Sequence, residues 1–153
     1  MRGRRGFTMI ELLVVVIVLS ILAGISILKY TDLKRIGRVG QISAMISSIR
    51  VAAYSYEADH QNQWPAETPA GVMPPELGPY LGGGVTWNNP DFTLDWENRI
   101  SGGGGSGFQL GVTVASSDTV LMRKLIQILG RNAPFYVVNN TLTYILVDDH
   151  GNY

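Results

Sequence analysis

The longest hydrophobic run lies near the amino terminus. No residue from Leu12 to Leu28 is charged. Together with residues 7–11, this run would form a helix of roughly 33 Å, at about 1.5 Å per residue. A helix of that length crosses the hydrocarbon core of a bilayer. The pattern therefore predicts a transmembrane helix over residues 7–28.

Beyond this run, apolar residues recur at every third or fourth position, which is the spacing of one face of an amphipathic helix. They are Ile36, Val39, Ile42, Ile46, Ile49, Ala53 and Tyr56. We expect residues 29–59 to continue the helix and to end near Asp59. Gly37 and Gly40 each weaken a helix by about 1 kcal/mol relative to alanine. They indicate either a flexible joint or close packing against a neighbour.

Residues 60–107 lose this periodicity and are rich in proline and glycine. They predict a long connector loop, which packs partly on the globular part through its aromatic residues. The run Ser101–Gly107 lacks the Gly-Lys-Ser/Thr ending of a phosphate-binding loop, so it is interpreted as a linker.

The last part of the chain, residues 108–153, predicts a strand, a helix and two further strands. The first strand covers 108–115, and a short helix follows, capped by Ser116 or Ser117 and ending at Gly130. The remaining strands are Phe135–Val138 and Leu142–Val147, joined by a turn at Asn139-Asn140. The expected fold class is α+β: a long helix packed on a small antiparallel sheet, with one further short helix.

Composition allows one modest soluble domain after the hydrophobic run, since the chain has 153 residues. The absence of cysteine excludes disulfides and thiolate metal sites. The sequence has no strongly basic surface of the kind that would predict nucleic-acid binding. A local basic cluster follows the run, and we interpret it as a contact with lipid head groups rather than with nucleic acid. Its members are Lys29, Lys34, Arg35 and Arg38.

The sequence does not favour an enzyme, and no cofactor is expected. His60 and His150 are far apart, and no serine lies in a nucleophile motif. Asp148, Asp149 and Asn152 could give oxygens to a calcium ion. Their spacing fits no recognised calcium loop, so a solvated chain end is the simpler interpretation.

Glu11 is a carboxylate at the head of the hydrophobic run, within Gly6-Phe7-Thr8-Met9-Ile10-Glu11-Leu12. A lone ionised side chain in a transmembrane helix costs about 2.5–3.5 kcal/mol on insertion scales. Glu11 must therefore be neutralised, solvated near the interface, or used in a function.

The residues from Gly6 to Leu12, with the apolar helix that follows, resemble the type IV pilin-like proteins, which include pilins and the pseudopilins of type II secretion. The resemblance implies that a prepilin peptidase cleaves after Gly6 and that the new amino terminus, Phe7, is methylated. It also implies that Glu11 pairs with the terminal amine of a neighbouring subunit during filament assembly. Residues 1–6 are then a leader peptide, and its loss leaves nine basic against twelve acidic residues, a net charge of −3.

The resemblance further implies a bacterial inner-membrane protein with a cytoplasmic leader, which later joins a periplasmic or extracellular filament. Its partners would be other copies or related subunits, the prepilin peptidase and the membrane. The chain departs from many pilins in two features: it has no disulfide loop, and no proline interrupts the transmembrane helix. The missing disulfide points away from a disulfide-bearing major pilin and leans toward a pseudopilin or minor subunit.

Two other classes of protein stay open at this point. Gly24-Ile25-Ser26 resembles a signal-peptidase site, which would release a secreted binding domain that begins near Ile27. A membrane-anchored protein that keeps its leader and does not polymerise is the second alternative.

Overall fold

The computed structural model describes residues 6–100, 108–130, 134–148 and 150. The chain divides into two compact units, Met1–Gly37 and Arg38–Tyr153. Helix α1 (Met9–Asp59) contributes to both units. The division falls beside Gly37, in the glycine pair for which the sequence left open a flexible joint or close packing against a neighbour. A Cβ atom added to Gly37 or Gly40 would meet no atom within 4 Å, so neither glycine is required by packing inside this chain.

The first unit contains the amino-terminal part of α1. In its described residues, 6–37, every residue except Arg35 is exposed. The helix begins at Met9, two residues later than the start expected from the hydrophobic run, because Thr8 forms its N-cap. It is long and apolar enough to cross a membrane.

The second unit contains a five-stranded antiparallel sheet with the strand order β1-β2-β3-β5-β4. The strands are β1 (Asn88–Asn89), β2 (Phe92–Asn98), β3 (Leu110–Ala115), β4 (Phe135–Val138) and β5 (Thr141–Val147). A second helix, α2 (Thr119–Leu129), joins β3 to β4, and a short 3₁₀ turn covers Pro75–Leu77. The expected α+β fold is confirmed.

The core lies between one face of this sheet and the second part of α1. On the sheet, alternate residues of β2 and β3 point to this face, so that Leu94 lies opposite Val114 and Trp96 opposite Val112. The helix contributes Val39, Ile42, Met45, Ile46, Ile49, Ala52 and Ala53. The predicted apolar face of the helix is thus confirmed from Val39 onward. Ile36 was also assigned to this face, but it is 47% exposed and lies in the first unit.

Polar contacts also attach α1 to the sheet. The Arg38 side chain donates from Nε and Nη2 to Oδ2 of Asp91, at 2.9 and 2.6 Å. The Tyr54 hydroxyl donates to the carbonyl oxygen of Leu146 in β5, at 3.1 Å. Arg38, which the sequence assigned to lipid head groups, therefore forms an ion pair with the turn between β1 and β2.

The structure differs from the predicted connector, because β1 and β2 lie inside residues 60–107. The side chains of Phe92, Leu94 and Trp96 are buried in the core. Trp96 Nε1 and Asn98 Nδ2 both donate to the Pro65 carbonyl oxygen, which anchors the loop after α1 to the sheet. The connector prediction was therefore wrong for this part of the segment, since burial against α1 stabilises a strand there. Residues 101–107 lie outside the described ranges.

The cap of α2 also differs from its prediction. Asp118, rather than Ser116 or Ser117, is the N-cap, and its Oδ1 accepts from the backbone nitrogens of Val120 and Leu121. The Ser116 hydroxyl instead donates to the carbonyl oxygen of Asp91, at 2.6 Å. The predicted end of the helix at Gly130 is confirmed, with φ of 75° at that glycine.

Gly111 lies at a tightly packed position of the sheet. A Cβ atom at this position would lie 2.8 Å from Thr143 Cγ2 and 3.0 Å from the Tyr144 carbonyl oxygen. We expect Gly111→Ala to destabilise the chain by about 1–3 kcal/mol, because overpacking forces neighbours to shift. Gly82→Ala is the matched control, since its Cβ would meet nothing within 4 Å. Thermal unfolding of the full chain in detergent measures the difference, and equal melting temperatures for the two variants would contradict this packing.

Candidate functional site

Glu11 is held by Thr8 at the start of α1. The Thr8 backbone nitrogen and hydroxyl both donate to Glu11 Oε2, each at 2.8 Å. In return, the Glu11 backbone nitrogen donates to Thr8 Oγ1 at 3.3 Å. This reciprocal arrangement is a capping box, in which Thr8 is the N-cap and Glu11 the third helical residue. It satisfies backbone donors that the first turn of a helix leaves without partners.

The sequence interpretation missed this role of Glu11. Its signal was present, because Thr8-Met9-Ile10-Glu11 is the Thr-x-x-Glu pattern of a capping box directly before an apolar run. Both described hydrogen bonds use Oε2, so Oε1 accepts none within the described part of the chain. One oxygen caps the helix, and the other is left to take a further donor.

The predicted processing residues lie just outside the helix. Gly6 and Phe7 are exposed, and Phe7 keeps 80% of its surface. A Cβ atom at Gly6 would meet nothing within 4 Å. Because the helix starts only at Met9, the peptide bond between Gly6 and Phe7 is not protected by helical hydrogen bonds. The preceding leader residues 1–5 lie outside the described ranges.

The apolar part of α1 exposes side chains that need a cover other than water. Leu12, Leu19 and Leu22 each keep more than half of their surface. The two serines in this stretch are already satisfied, since Ser20 Oγ donates to the Val16 carbonyl and Ser26 Oγ to the Leu22 carbonyl, both at 2.8 Å. This surface is compatible with lipid or with another apolar helix.

The remaining candidates from the sequence do not form a site together. His60 stacks on Tyr56, at 4.0 Å between ring centroids, while the His150 backbone nitrogen donates to Asp148 Oδ1. Asp149 and Asn152 lie outside the described ranges, so the calcium hypothesis stays a prediction. Among the described residues, no group of three His, Asp or Glu side chains could hold a metal ion.

Three carboxylates are close together in the second unit. Burial, with the nearby charges of Glu97 and Glu67, raises the pKa of Asp95 to about 6. Burial also raises the pKa of Glu67, against the lowering effect of a hydrogen bond from the Asn98 backbone nitrogen. Glu97 pairs with Arg99, at 3.2 Å between Oε2 and Nη2. Within the described part of the chain, Asp95 forms no ion pair, and its Oδ1 is buried without a hydrogen-bond partner.

The geometry defines a class of protein: an α+β unit carried on an exposed apolar helix that begins with a capped glutamate. A family model described as the prokaryotic N-terminal methylation motif matches residues 1–27. The chain is similar to the type IV major pilin protein PilE1 of Neisseria gonorrhoeae, with 32% identity over 72 residues. That alignment covers 47% of this chain and 33% of the pilin, so the match spans about a third of the relative's length. No solved structure matches the chain significantly.

These findings confirm the expected resemblance to the type IV pilin-like proteins. The motif and the apolar helix fit membrane anchoring.

Asp95 makes the stability of the second unit depend on pH. Its pKa is about 6 in the folded chain, while the unfolded chain has the ordinary, lower value. Between these values the unfolded state binds fewer protons, so stability falls as the pH rises from about 4 to about 6. Asp95→Asn removes the charge. We expect it to match the wild type at pH 4 and to exceed it at pH 7.5 by about 1 kcal/mol, a value discounted for solvent screening.

Thermal unfolding of both full chains in detergent across this pH range checks the prediction. Glu57→Gln removes a carboxylate outside this group and serves as the control. A stability difference between Asp95→Asn and the wild type that does not change with pH would contradict the assignment.

Proposed function

We propose that this chain is a subunit of a type IV pilus-like or type II secretion pseudopilus filament. A prepilin peptidase removes residues 1–6, the new terminus at Phe7 is methylated, and the subunit waits in the inner membrane until assembly. In the filament, Glu11 pairs with the terminal ammonium of a neighbouring copy. The observation that supports this proposal is that Glu11, four residues after the exposed Phe7, uses only one carboxylate oxygen, Oε2, in its described hydrogen bonds.

The two oxygens of Glu11 give the proposed pairing its geometry. Oε2 is occupied by the N-cap residue Thr8, which fixes the side chain at the first turn. Oε1 then accepts from the ammonium of the neighbour. The helix amino terminus adds a favourable field for the carboxylate, typically about 0.3–1 kcal/mol. The cap therefore orients the charge before a neighbour arrives.

The net energy of this pair is much smaller than its Coulomb attraction, because both groups lose water. Its main effect is on register. A subunit inserted at the wrong height would leave a carboxylate or an ammonium buried without a partner, which costs about 3–5 kcal/mol. Processing must come first, since Phe7 carries an amide and not an ammonium until its bond to Gly6 is cut.

Assembly also changes what the apolar surface of α1 contacts. In the membrane, this surface contacts lipid; in the filament, it contacts helices of neighbouring subunits. Ser20 and Gly24 follow the small-xxx-small spacing that allows close approach of helices. Gly24 has free space around its Cα, since an added Cβ would meet nothing within 4 Å. Charged and apolar contacts would thus act at the same interface.

The mature amino terminus tests the proposal directly. In cells with an active prepilin peptidase, we expect mass spectrometry to find a chain that starts at Phe7 and carries a methyl group. A peptidase-deficient strain should yield the chain with all six leader residues. A start near Ile27 would indicate a secreted domain instead, and a retained leader in the first strain would indicate an anchor that does not assemble.

Variants of Glu11 separate capping from ion pairing. Glutamine accepts the capping hydrogen bonds but carries no charge, whereas alanine loses both roles. We expect Glu11→Gln and Glu11→Ala to insert in the membrane normally and to lower filament incorporation at least tenfold, a loss of about 1.4 kcal/mol or more. Quantitative blotting of sheared filaments and membranes measures the ratio. Thr8→Ala removes the side-chain cap but not the charge, and should reduce incorporation less.

Normal incorporation of Glu11→Gln, with loss only in Glu11→Ala, would show that the carboxylate acts as a cap alone. That outcome would contradict the ion pair while leaving the capping geometry intact.

A further inference from the structure

The face of the sheet that points away from α1 carries a cavity of about 460 Å³. Its floor is a row of paired residues across four strands: Asp95 lies opposite Thr113, Thr113 opposite Thr143, and Thr143 opposite Tyr136. We call it the sheet-face cavity. Its size lies within the range of about 300–1,000 Å³ that is usual for small-molecule sites.

The floor is polar and partly preorganised. Thr113 and Thr143 are 8% and 7% exposed, and their hydroxyl oxygens are 2.7 Å apart. Thr113 Oγ1 also lies 3.2 Å from Glu97 Oε1. These hydrogen bonds fix the hydroxyls and one carboxylate in place without a ligand.

The charge of the cavity is unbalanced. Arg99 pairs with Glu97 and places its guanidinium 4.3 Å from the centre of the Phe108 ring, so this cation is already engaged. Among the described residues, no cation forms an ion pair with Asp95, and none donates a hydrogen bond to its Oδ1. Glu67, from the loop beside the sheet, adds a further negative charge that acts on Asp95. The uncompensated carboxylate is complementary to a cation.

The other walls suit an aliphatic chain. Val138, Ala115 and Ala70 line the cavity together with the exposed ring of Tyr136. A compact ammonium on a short hydrocarbon chain would therefore contact the carboxylate at one end and apolar walls along its length.

We propose that the sheet-face cavity binds an alkylammonium group, carried either by a free amine or by a lysine side chain. Asp95 is the principal anion, the threonine row fixes the floor, and the hydrocarbon chain extends across this floor toward Val138 and Tyr136. This binding is separate from the filament contacts at Glu11 and does not depend on them. Occupation would balance the charge of a half-buried carboxylate that forms no ion pair with a described residue.

Nuclear magnetic resonance of the labelled full chain in a non-ionic detergent tests the proposal. At pH 7.5, addition of butylammonium chloride should shift the methyl signals of Thr113 and Thr143 in a saturable way, with a Kd on the order of 1–10 mM. Sodium chloride at equal ionic strength is the salt control and should cause no saturable shift. Nα-acetyl-lysine amide is the second probe. Binding of both probes assigns the cavity to a lysine side chain as well, and binding of butylammonium alone assigns it to a free amine.

Two variants and one change of pH identify the anion. Asp95→Asn should weaken binding at least about tenfold, which is about 1.4 kcal/mol, while Glu57→Gln, outside the cavity, should bind as the wild type does. Lowering the pH from 7.5 to 5 should weaken binding, because the pKa of Asp95 is about 6. The charged groups that act on Asp95 are Glu97 and Glu67, and Arg99 pairs with Glu97.

Thr141→Lys provides an independent check if Asp95→Asn fails to fold. It places a tethered ammonium at the cavity wall and leaves Asp95 unchanged, so binding of butylammonium should be lost. The absence of a saturable shift in the wild type, equal shifts with sodium chloride, or equal binding by Asp95→Asn and Glu57→Gln would each overturn the proposal.

Discussion

An ionised carboxylate at the head of an apolar helix needs hydrogen-bond donors, and the amino-terminal unit of this chain is arranged around that need. The first turn of any helix leaves backbone donors without partners, and in an apolar environment each of them is costly. The Glu11 carboxylate accepts a hydrogen bond from the Thr8 backbone nitrogen, and the Thr8 hydroxyl oxygen accepts one from the Glu11 backbone nitrogen. The charged side chain therefore stabilises the start of the helix. Because one carboxylate oxygen is sufficient for this cap, the other can meet a second requirement, which we propose is the ammonium of a neighbour.

The two units differ in the exposure of their apolar side chains. The amino-terminal part of α1 leaves its apolar side chains exposed, so they need lipid or another protein as a cover. From Val39 onward, the same helix buries one face against the five-stranded sheet. Arg38 marks the change, because it is the first residue of the second unit and pairs with Asp91. One helix is therefore apolar and exposed in its first part, which fits membrane anchoring, and is a core element in its second.

Periodicity predicted the helices and the last strands because their patterns are regular. The apolar face from Val39 to Ala53, the end of α2 at Gly130 and the turn at Asn139 are examples. β2 was missed although Phe92-Thr93-Leu94-Asp95-Trp96-Glu97 alternates strictly, because the surrounding prolines and glycines indicated a loop. The motif predicted an assembly role for Glu11, but its hydrogen bonds to Thr8 were not predicted. The sheet-face cavity could not be predicted, because it depends on the register of β2 and β3 with β5, and these three strands are distant in sequence.

A distance measurement in assembled filaments tests the central claim most directly. One batch of subunits carries ¹⁵N at the Phe7 amine, a second carries ¹³C at the Glu11 carboxyl carbon, and the two are mixed before assembly. Solid-state nuclear magnetic resonance then detects only contacts between different copies. The account predicts a dipolar coupling that corresponds to about 4 Å or less, the range of an ion pair. Filaments without this coupling, from subunits that start at Phe7, would contradict it.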